Sequence, residues 1–166
     1  MIERILQDFG QAYGFRSISL RYFNASGADS SAELGEFRAV ETHLIPRAMM
    51  ALQGYVRDFA ILGNDYETLD GTAVRDYIHV SDLAEAHIVA LKRLLNGDPG
   101  GSFNLGTGTG YSVREILAAI GHQVGRTVPV EVKPRRAGDP PTLIADPTAA
   151  RAILGFETKL SDLTTI

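Results

Sequence analysis

The chain has no cysteine. That excludes a disulfide framework and any thiolate metal site, and a reducing compartment is compatible with it. It has no excess of positive charge either: 16 Lys and Arg stand against 20 Asp and Glu, a formal net charge of -4. Nucleic acid and anionic membrane surfaces are therefore not the expected partners, and basic residues cluster only at Arg135-Arg136. No run is long or apolar enough for a membrane helix, and Met1-Ile2-Glu3-Arg4-Ile5 lacks the basic stretch and apolar core of a secretory signal. The expected location is the cytoplasm. Repeats, low-complexity runs and flexible linkers are also missing. What is present is 166 residues, 45% hydrophobic and 22% charged, a composition suited to one soluble α/β unit with its own core.

Periodicity divides that unit into elements. Ile2, Ile5, Leu6, Phe9 and Tyr13 recur at helical spacing up to Gly14, a good C-terminal stop. The chain is expected to begin inside this helix, since nothing before Ile2 can cap it. Ser17 to Phe23 alternates as a strand and runs into a polar turn, Asn24 to Asp29. Thr42 is the expected cap of a helix carrying Leu44, Ile45, Ala48, Met49 and Leu52, with Pro46 tolerated in its first turn. Phe59 to Leu62 and Tyr77 to Val80 read as strands separated by a polar loop, Gly63 to Gly71. Ser81-Asp82 is the expected cap of a helix with Leu83, Ala86, Val89, Ala90 and Leu94 inward. Ser102 to Leu105 is a strand, Gly106 to Gly110 a glycine-rich turn, and Ser112 with Glu115 a capping box. Val128 to Val132 reads as a strand, Pro134 to Pro141 as a rigid basic loop, and Asp146-Pro147 as the start of a short helix stopped by Gly155. Ser161-Asp162 looks like the start of one more helix.

Most recognised catalytic patterns are missing. The triplet Gly106, Gly108, Gly110 has neither the G-x-G-x-x-G spacing of a dinucleotide fingerprint nor the Gly-Lys-Ser/Thr ending of a P-loop, so a tight strand-to-helix turn is expected there. His43, His79, His87 and His122 show no repeated ligand spacing; no metal is expected, and His79 is read as structural. Asp65, Glu67 and Asp70 read as a solvated loop rather than an acid/base pair, and no serine sits in a nucleophile elbow.

What remains is a set of groups that could hold an anion. Arg75 opens an apolar, β-rich run, Gly71 to Val80, where a planar guanidinium fork suits phosphate oxygens. The competing reading is an ordinary ion pair with Asp76. Arg135-Arg136 precedes a turn shaped by Gly138 and Pro140, a loop that could close over a diphosphate or stay solvated. Asn24, at a strand end, can donate and accept at once, as a sugar or phosphate contact needs, or can form an Asx turn.

The order of motifs carries a resemblance. Leu20-Arg21-Tyr22-Phe23-Asn24-Ala25-Ser26-Gly27-Ala28, Thr42-His43-Leu44-Ile45-Pro46, Gly63-Asn64-Asp65-Tyr66, Gly71 through Val80, Phe103 through Gly108, and Pro134 through Pro140 together resemble the UDP-glucose 4-epimerases, over essentially the whole chain. Those enzymes are extended short-chain dehydrogenase/reductases with an NAD-binding Rossmann half and a smaller C-terminal substrate half, and the chain resembles the second. The fold class this implies is α/β: a single unit over residues 1–166, with residual Rossmann elements at about 1–24 and 102–123 and the N-terminal NAD-binding portion absent. The resemblance further implies that Asn24, His43, Leu44, Ala60, Ile61, Leu62, Arg75, Arg136, Asp139 and Leu143 line a UDP-sugar site, Arg75 and Arg136 gripping the diphosphate. Tyr22 and Phe23 would lie at the NAD cofactor. Leu143 falls where family members differ in bulk, which implies an influence on tolerance for N-acetylated sugars.

The implied activity is isomerisation of UDP-glucose and UDP-galactose: NAD takes a hydride from C4, the 4-keto sugar turns over while UDP stays anchored, and the hydride returns to the other face. Remote binding through the nucleotide then holds a ring that must itself stay free. The chain departs from this pattern in two ways. It has no Rossmann glycine fingerprint, and none of its six tyrosines has lysine four residues later, so the family's Tyr-x-x-x-Lys is missing and no catalytic residue is expected here. The expectation is a chain inactive by itself. Its expected partners are a UDP-sugar and either a second copy or a complementing N-terminal fragment. Two other readings stand beside this one: a nucleotide-sugar dehydratase or decarboxylase of the same superfamily, and a non-catalytic UDP-sugar-binding or assembly fragment.

Overall fold

The computed structural model describes residues 1–166 as four helices and nine short strands. Helix α1, Ile2–Tyr13, is closed by Gly14 in a left-handed conformation, as its sequence requires. Strand β1, Ser17–Arg21, ends two residues earlier than the alternation suggests. The expected turn after it instead forms β2, Asn24–Ser26, which finds a parallel partner in β5, Tyr77–His79. A local turn signal is thus overridden by backbone pairing from 52 residues away, reinforced by the Ser26 hydroxyl donating to the Ile78 carbonyl.

Helix α2, Leu44–Leu52, takes His43 rather than Thr42 as its N-cap residue. The His43 ring turns back to Glu41 instead of capping. Helix α3, Val80–Leu95, is capped by His79, whose Nδ1 accepts from the Ser81 amide at 3.1 Å. Its expected cap, Asp82, is buried elsewhere: the carboxylate accepts from the amides of Lys159 and Leu160 and from the Ser161 hydroxyl. Ser161 therefore starts no helix; it latches the C-terminal segment onto α3, and its Oγ also accepts from the His79 amide. Helix α4, Val113–Val124, has the anticipated capping box of Ser112 and Glu115. Asp146 caps as expected by accepting from the Thr148 amide, and the helical turn Ala150–Leu154 stops at Gly155.

The remaining strands are β3 (Ala60–Leu62), β4 (Val74–Arg75), β6 (Gly100–Asn104), β7 (Tyr111–Ser112), β8 (Glu131–Lys133) and β9 (Thr142–Leu143). Four parallel pairings organise the chain: β1 with β6, β2 with β5, β3 with β8, and β4 with β9; β7 joins β4 antiparallel. Two cores result. Ile78, Leu83, Ala86, Phe103, Leu105, Ala150, Leu154 and Phe156 pack under α3. Ala48, Ala51, Leu52, Phe59, Ile61, Leu117 and Val128 pack between α2 and α4. Helix α1 contributes to neither, because none of its residues is buried.

The parallel pairings also bring two loops together. The loop from β3 to β4 and the loop from β8 to β9 each leave one parallel pair and enter the next, so the two run side by side. No helix of the chain is long and apolar enough to cross a membrane.

Candidate functional site

Asp76 decides between the two readings of Arg75. Its carboxylate is only 1% exposed and turns away from the arginine. It accepts from the Thr107 amide at 3.0 Å, the Thr107 hydroxyl at 2.9 Å, the Gly108 amide at 3.1 Å and the Ala145 amide at 3.2 Å. The ordinary ion pair is therefore absent. Arg75 is half-buried, its Nη1 donates to the Val74 carbonyl at 2.8 Å, and no carboxylate lies within ion-pair reach of it. A guanidinium so placed retains most of its donors for an anion.

The same carboxylate explains the glycine-rich turn. The amides of Thr107 and Gly108, which an anion-binding loop would offer to phosphate, are already bound to Asp76. A side chain at Gly106 would put its Cβ 2.5 Å from the Asp76 Oδ2. The turn is a structural socket for Asp76, in keeping with its non-fingerprint spacing.

Strand register assembles part of the expected substrate set. Arg75 lies opposite Leu143 in β4·β9, and Asn24 lies opposite Tyr77 in β2·β5, two residues along from Arg75. The Asn24 side-chain oxygen is buried with no hydrogen-bond partner in the protein. A buried acceptor left so is costly, which points to a donor supplied from outside. Tyr77 is not among the site residues that the sequence singles out. Burial pushes its hydroxyl up to about 12, against the opposing pull of the Arg75 charge, so it stays a neutral donor throughout the physiological range.

A second group surrounds β3. Ala60 and Leu62 face opposite to Ile61, whose side chain is packed in the second core, so Ile61 enters the candidate site only as backbone. Beyond β8 the two arginines diverge. Arg135 donates to the Asp65 carboxylate at 2.8 Å and its guanidinium carbon sits 5.1 Å from the centre of the Tyr66 ring. Arg136 pairs with Asp139 through Nε at 2.9 Å, leaving its two terminal nitrogens without protein partners. Asp65, though paired with Arg135, stays mostly exposed as a solvated loop residue would, whereas Asp70 is engaged by the protein: it accepts from the Thr72 amide and hydroxyl and from the Ser112 hydroxyl. Burial pushes the Asp70 carboxyl up, but those hydrogen bonds together outweigh it and hold the group below its ordinary range.

His43 and Leu44 stand apart, at the start of α2. No hydrogen bond or ion pair links His43 to Arg75; its Nδ1 lies 2.8 Å from Glu41. Glu36, Glu41 and His43 bring one potential ligand atom each within 4.8 Å of one another, a grouping not anticipated from the sequence. Glu41 is already engaged by the His43 amide first, then by the His43 ring and the Thr42 amide, which hold its carboxyl low. Tyr22 and Phe23, at the carboxyl end of β1, are exposed at 45% and 39%. They can offer aromatic faces to a cofactor ring. With the glycine turn occupied by Asp76, these residues offer no cradle there for the phosphates of a dinucleotide.

Residues 1–106 match the model of the NAD dependent epimerase/dehydratase family. The chain belongs to that family. It is 45% identical over 165 residues to the UDP-glucose 4-epimerase of Halalkalibacterium halodurans, covering 99% of this chain and 49% of that protein. The solved UDP-glucose 4-epimerase of Brucella ovis in complex with NAD superposes with a TM-score of 0.94 at 56% identity, over 99% of this chain and 50% of that one. The Bifidobacterium longum enzyme, solved with NAD+ and UDP, gives 0.88 at 38%, over 98% and 49%. The chain spans about half the length of the curated relatives it matches. Family members of this kind use NAD at a mixed α/β fold, and this chain has that α/β architecture.

Proposed function

We propose that this chain forms the nucleotide-sugar-holding portion of a UDP-glucose 4-epimerase, the whole protein interconverting UDP-glucose and UDP-galactose at C4. One observation carries the reading: Arg75 has no carboxylate partner, although Asp76 is its neighbour in sequence. It stands beside Leu143 and near the unpartnered Asn24 oxygen, and Arg136 keeps two free nitrogens across the adjoining loop. Two guanidiniums suit a diphosphate, and each well-made charged contact contributes about 1.5–3 kcal/mol. Such binding energy, far from the reacting carbon, holds the nucleotide while the hexose is left free to turn. The relatives named UDP-glucose 4-epimerase, and the one solved with UDP, support the same substrate class.

The finer residue assignment belongs to this proposal: Asn24, Ala60, Leu62, Arg75, Arg136, Asp139 and Leu143 at the UDP-sugar, His43 and Leu44 at its far side, Tyr22 and Phe23 toward NAD. So does the division of the chain. The segments of about 1–24 and 102–123, carrying β1, most of β6, which begins at Gly100, and β7, are read as Rossmann-derived, and β3 to β5 with β8 and β9 as the substrate portion. NAD, when bound in the whole enzyme, supplies the hydride acceptor; no step of that transfer rests on the residues of this chain. With no Tyr-x-x-x-Lys among its residues, the purified chain is expected to bind UDP and to leave UDP-galactose unchanged in the presence of NAD. Calorimetry with UDP and a coupled assay for UDP-glucose test both halves. Absence of UDP binding overturns the substrate role, and turnover by the chain alone overturns its catalytic incompleteness.

A further inference from the structure

Arg135 has the residue type of a diphosphate ligand and the surroundings of something else. The loop after β3 and the loop after β8 run side by side from one parallel strand pair to the next. Arg135 bridges them near their beginnings. Its Nη2 donates to the Asp65 carboxylate at 2.8 Å, and its guanidinium lies over the ring of Tyr66, a residue only 4% exposed. Its backbone is held equally closely: Gly63, with φ +93, sits where a Cβ would come within 2.7 Å of the Arg135 Cβ and 2.6 Å of the Tyr66 ring. The Gly63 amide donates to the Lys133 carbonyl at 2.8 Å, so the bridge continues the β3·β8 ladder into the loops. An exposed Arg-Asp pair by itself contributes little. Here the ring below and the glycine beside it fix the arginine in one orientation, which an isolated pair does not.

We infer that Arg135 is a positioning residue: clamped by Asp65 and Tyr66, it fixes the start of the 134–141 loop and thereby sets Arg136 for its diphosphate. Arg136 itself is mostly exposed and its one partner, Asp139, lies three residues on in the same loop. That pair cannot anchor the loop to the rest of the molecule. The Arg135 clamp can. Arg75 is fixed separately, through the pairing of β4 with β9, so the clamp governs only one arm of the grip. The inference rests on the proposed reading of Arg75 and Arg136 as that grip.

The experiment is UDP titration calorimetry on the full chain, with a thermal melt of every variant. Arg135→Met is expected to weaken UDP about tenfold, the loss of one charge-assisted contact that Arg135 does not itself make. Asp65→Asn, an exposed change that spares the fold, is expected to lose in the same direction, and Arg135→Lys to recover part of the affinity. The decisive comparison is Arg136→Met in two backgrounds. It is expected to cost about tenfold in the native chain and less than about twofold in Arg135→Met, because an unclamped Arg136 contributes little to begin with. Equal cost in both backgrounds, or native UDP affinity in both Arg135→Met and Asp65→Asn, overturns the positioning role. Failure of the grip reading has a different signature: Arg75→Met and Arg136→Met then each bind UDP like the native chain.

Discussion

An arginine beside an aspartate normally settles its charge locally. Asp76 instead satisfies four donors from two distant segments, and Arg75 is left with one contact to a carbonyl. The two side chains therefore fail in different ways. Arg75→Met removes no buried partner, so the expected result is a loss of UDP affinity of about tenfold or more with an unchanged urea midpoint. Asp76→Asn puts an NH2 group among N–H donors and cannot satisfy them all. It is expected to destabilise the chain by about 2–3 kcal/mol in urea unfolding, with UDP affinity falling only as the fold does. If Asp76→Asn were as stable as the native chain, the socket at Thr107 and Gly108 would not matter to the fold.

At the scale of elements, the sequence was most legible where an interaction closes within one turn. The Gly14 stop of α1, the Ser112-Glu115 capping box, the Asp146 cap and the Gly155 stop all form as their residues suggest. Long-range polar groups were not legible. Asp82 reaches residues 77 to 79 positions away, Arg135 reaches Asp65 across 70, and Asp76 reaches Thr107 across 31. Local spacing assigns such groups to caps, solvent or near neighbours, because it carries no information about which loop will pass by. Asp70 is the same kind of group, joining the β3–β4 loop to the cap of α4 through Ser112. Its carboxyl is held below its ordinary range, so the folded state favours the charged form. The stabilisation it provides is present above the ordinary carboxylate pKa of about 4 and is lost as pH falls through the lower folded value. Asp70→Asn is expected to cost about 1–2 kcal/mol at pH 7. Unfolding at pH 7 and at about pH 2.5 checks this, since the gap between native and variant should narrow toward the acid end. A constant gap at both pH values rules out the charged form as the source.

At the scale of the whole molecule, the order of motifs suggested the candidate site residues, and strand register sets Arg75 beside Leu143 and Asn24 beside Tyr77. Hydrophobic spacing also identified the apolar face of α1, but not its fate. Ile2, Phe9 and Tyr13 are 75%, 51% and 77% exposed, and Ile5 and Phe15 extend the stripe. Together with Leu94 and Leu95 of α3, Phe9, Tyr13 and Phe15 line an open groove of about 760 Å³. Contiguous apolar surface of this kind drives association, because its burial releases water whatever the partner. In a solution of the purified chain, the available partner is another copy. Sedimentation velocity is therefore expected to show a weight-average mass that rises with concentration from micromolar upward. Since no residue of α1 is buried, Ile5→Lys with Phe9→Lys removes apolar surface without opening a core. That double variant is expected to hold the monomer mass over the same range and to keep its stability in urea unfolding within about 0.5 kcal/mol of the native chain. A native chain that stays monomeric throughout, or a double variant that associates equally, assigns the stripe no part in assembly.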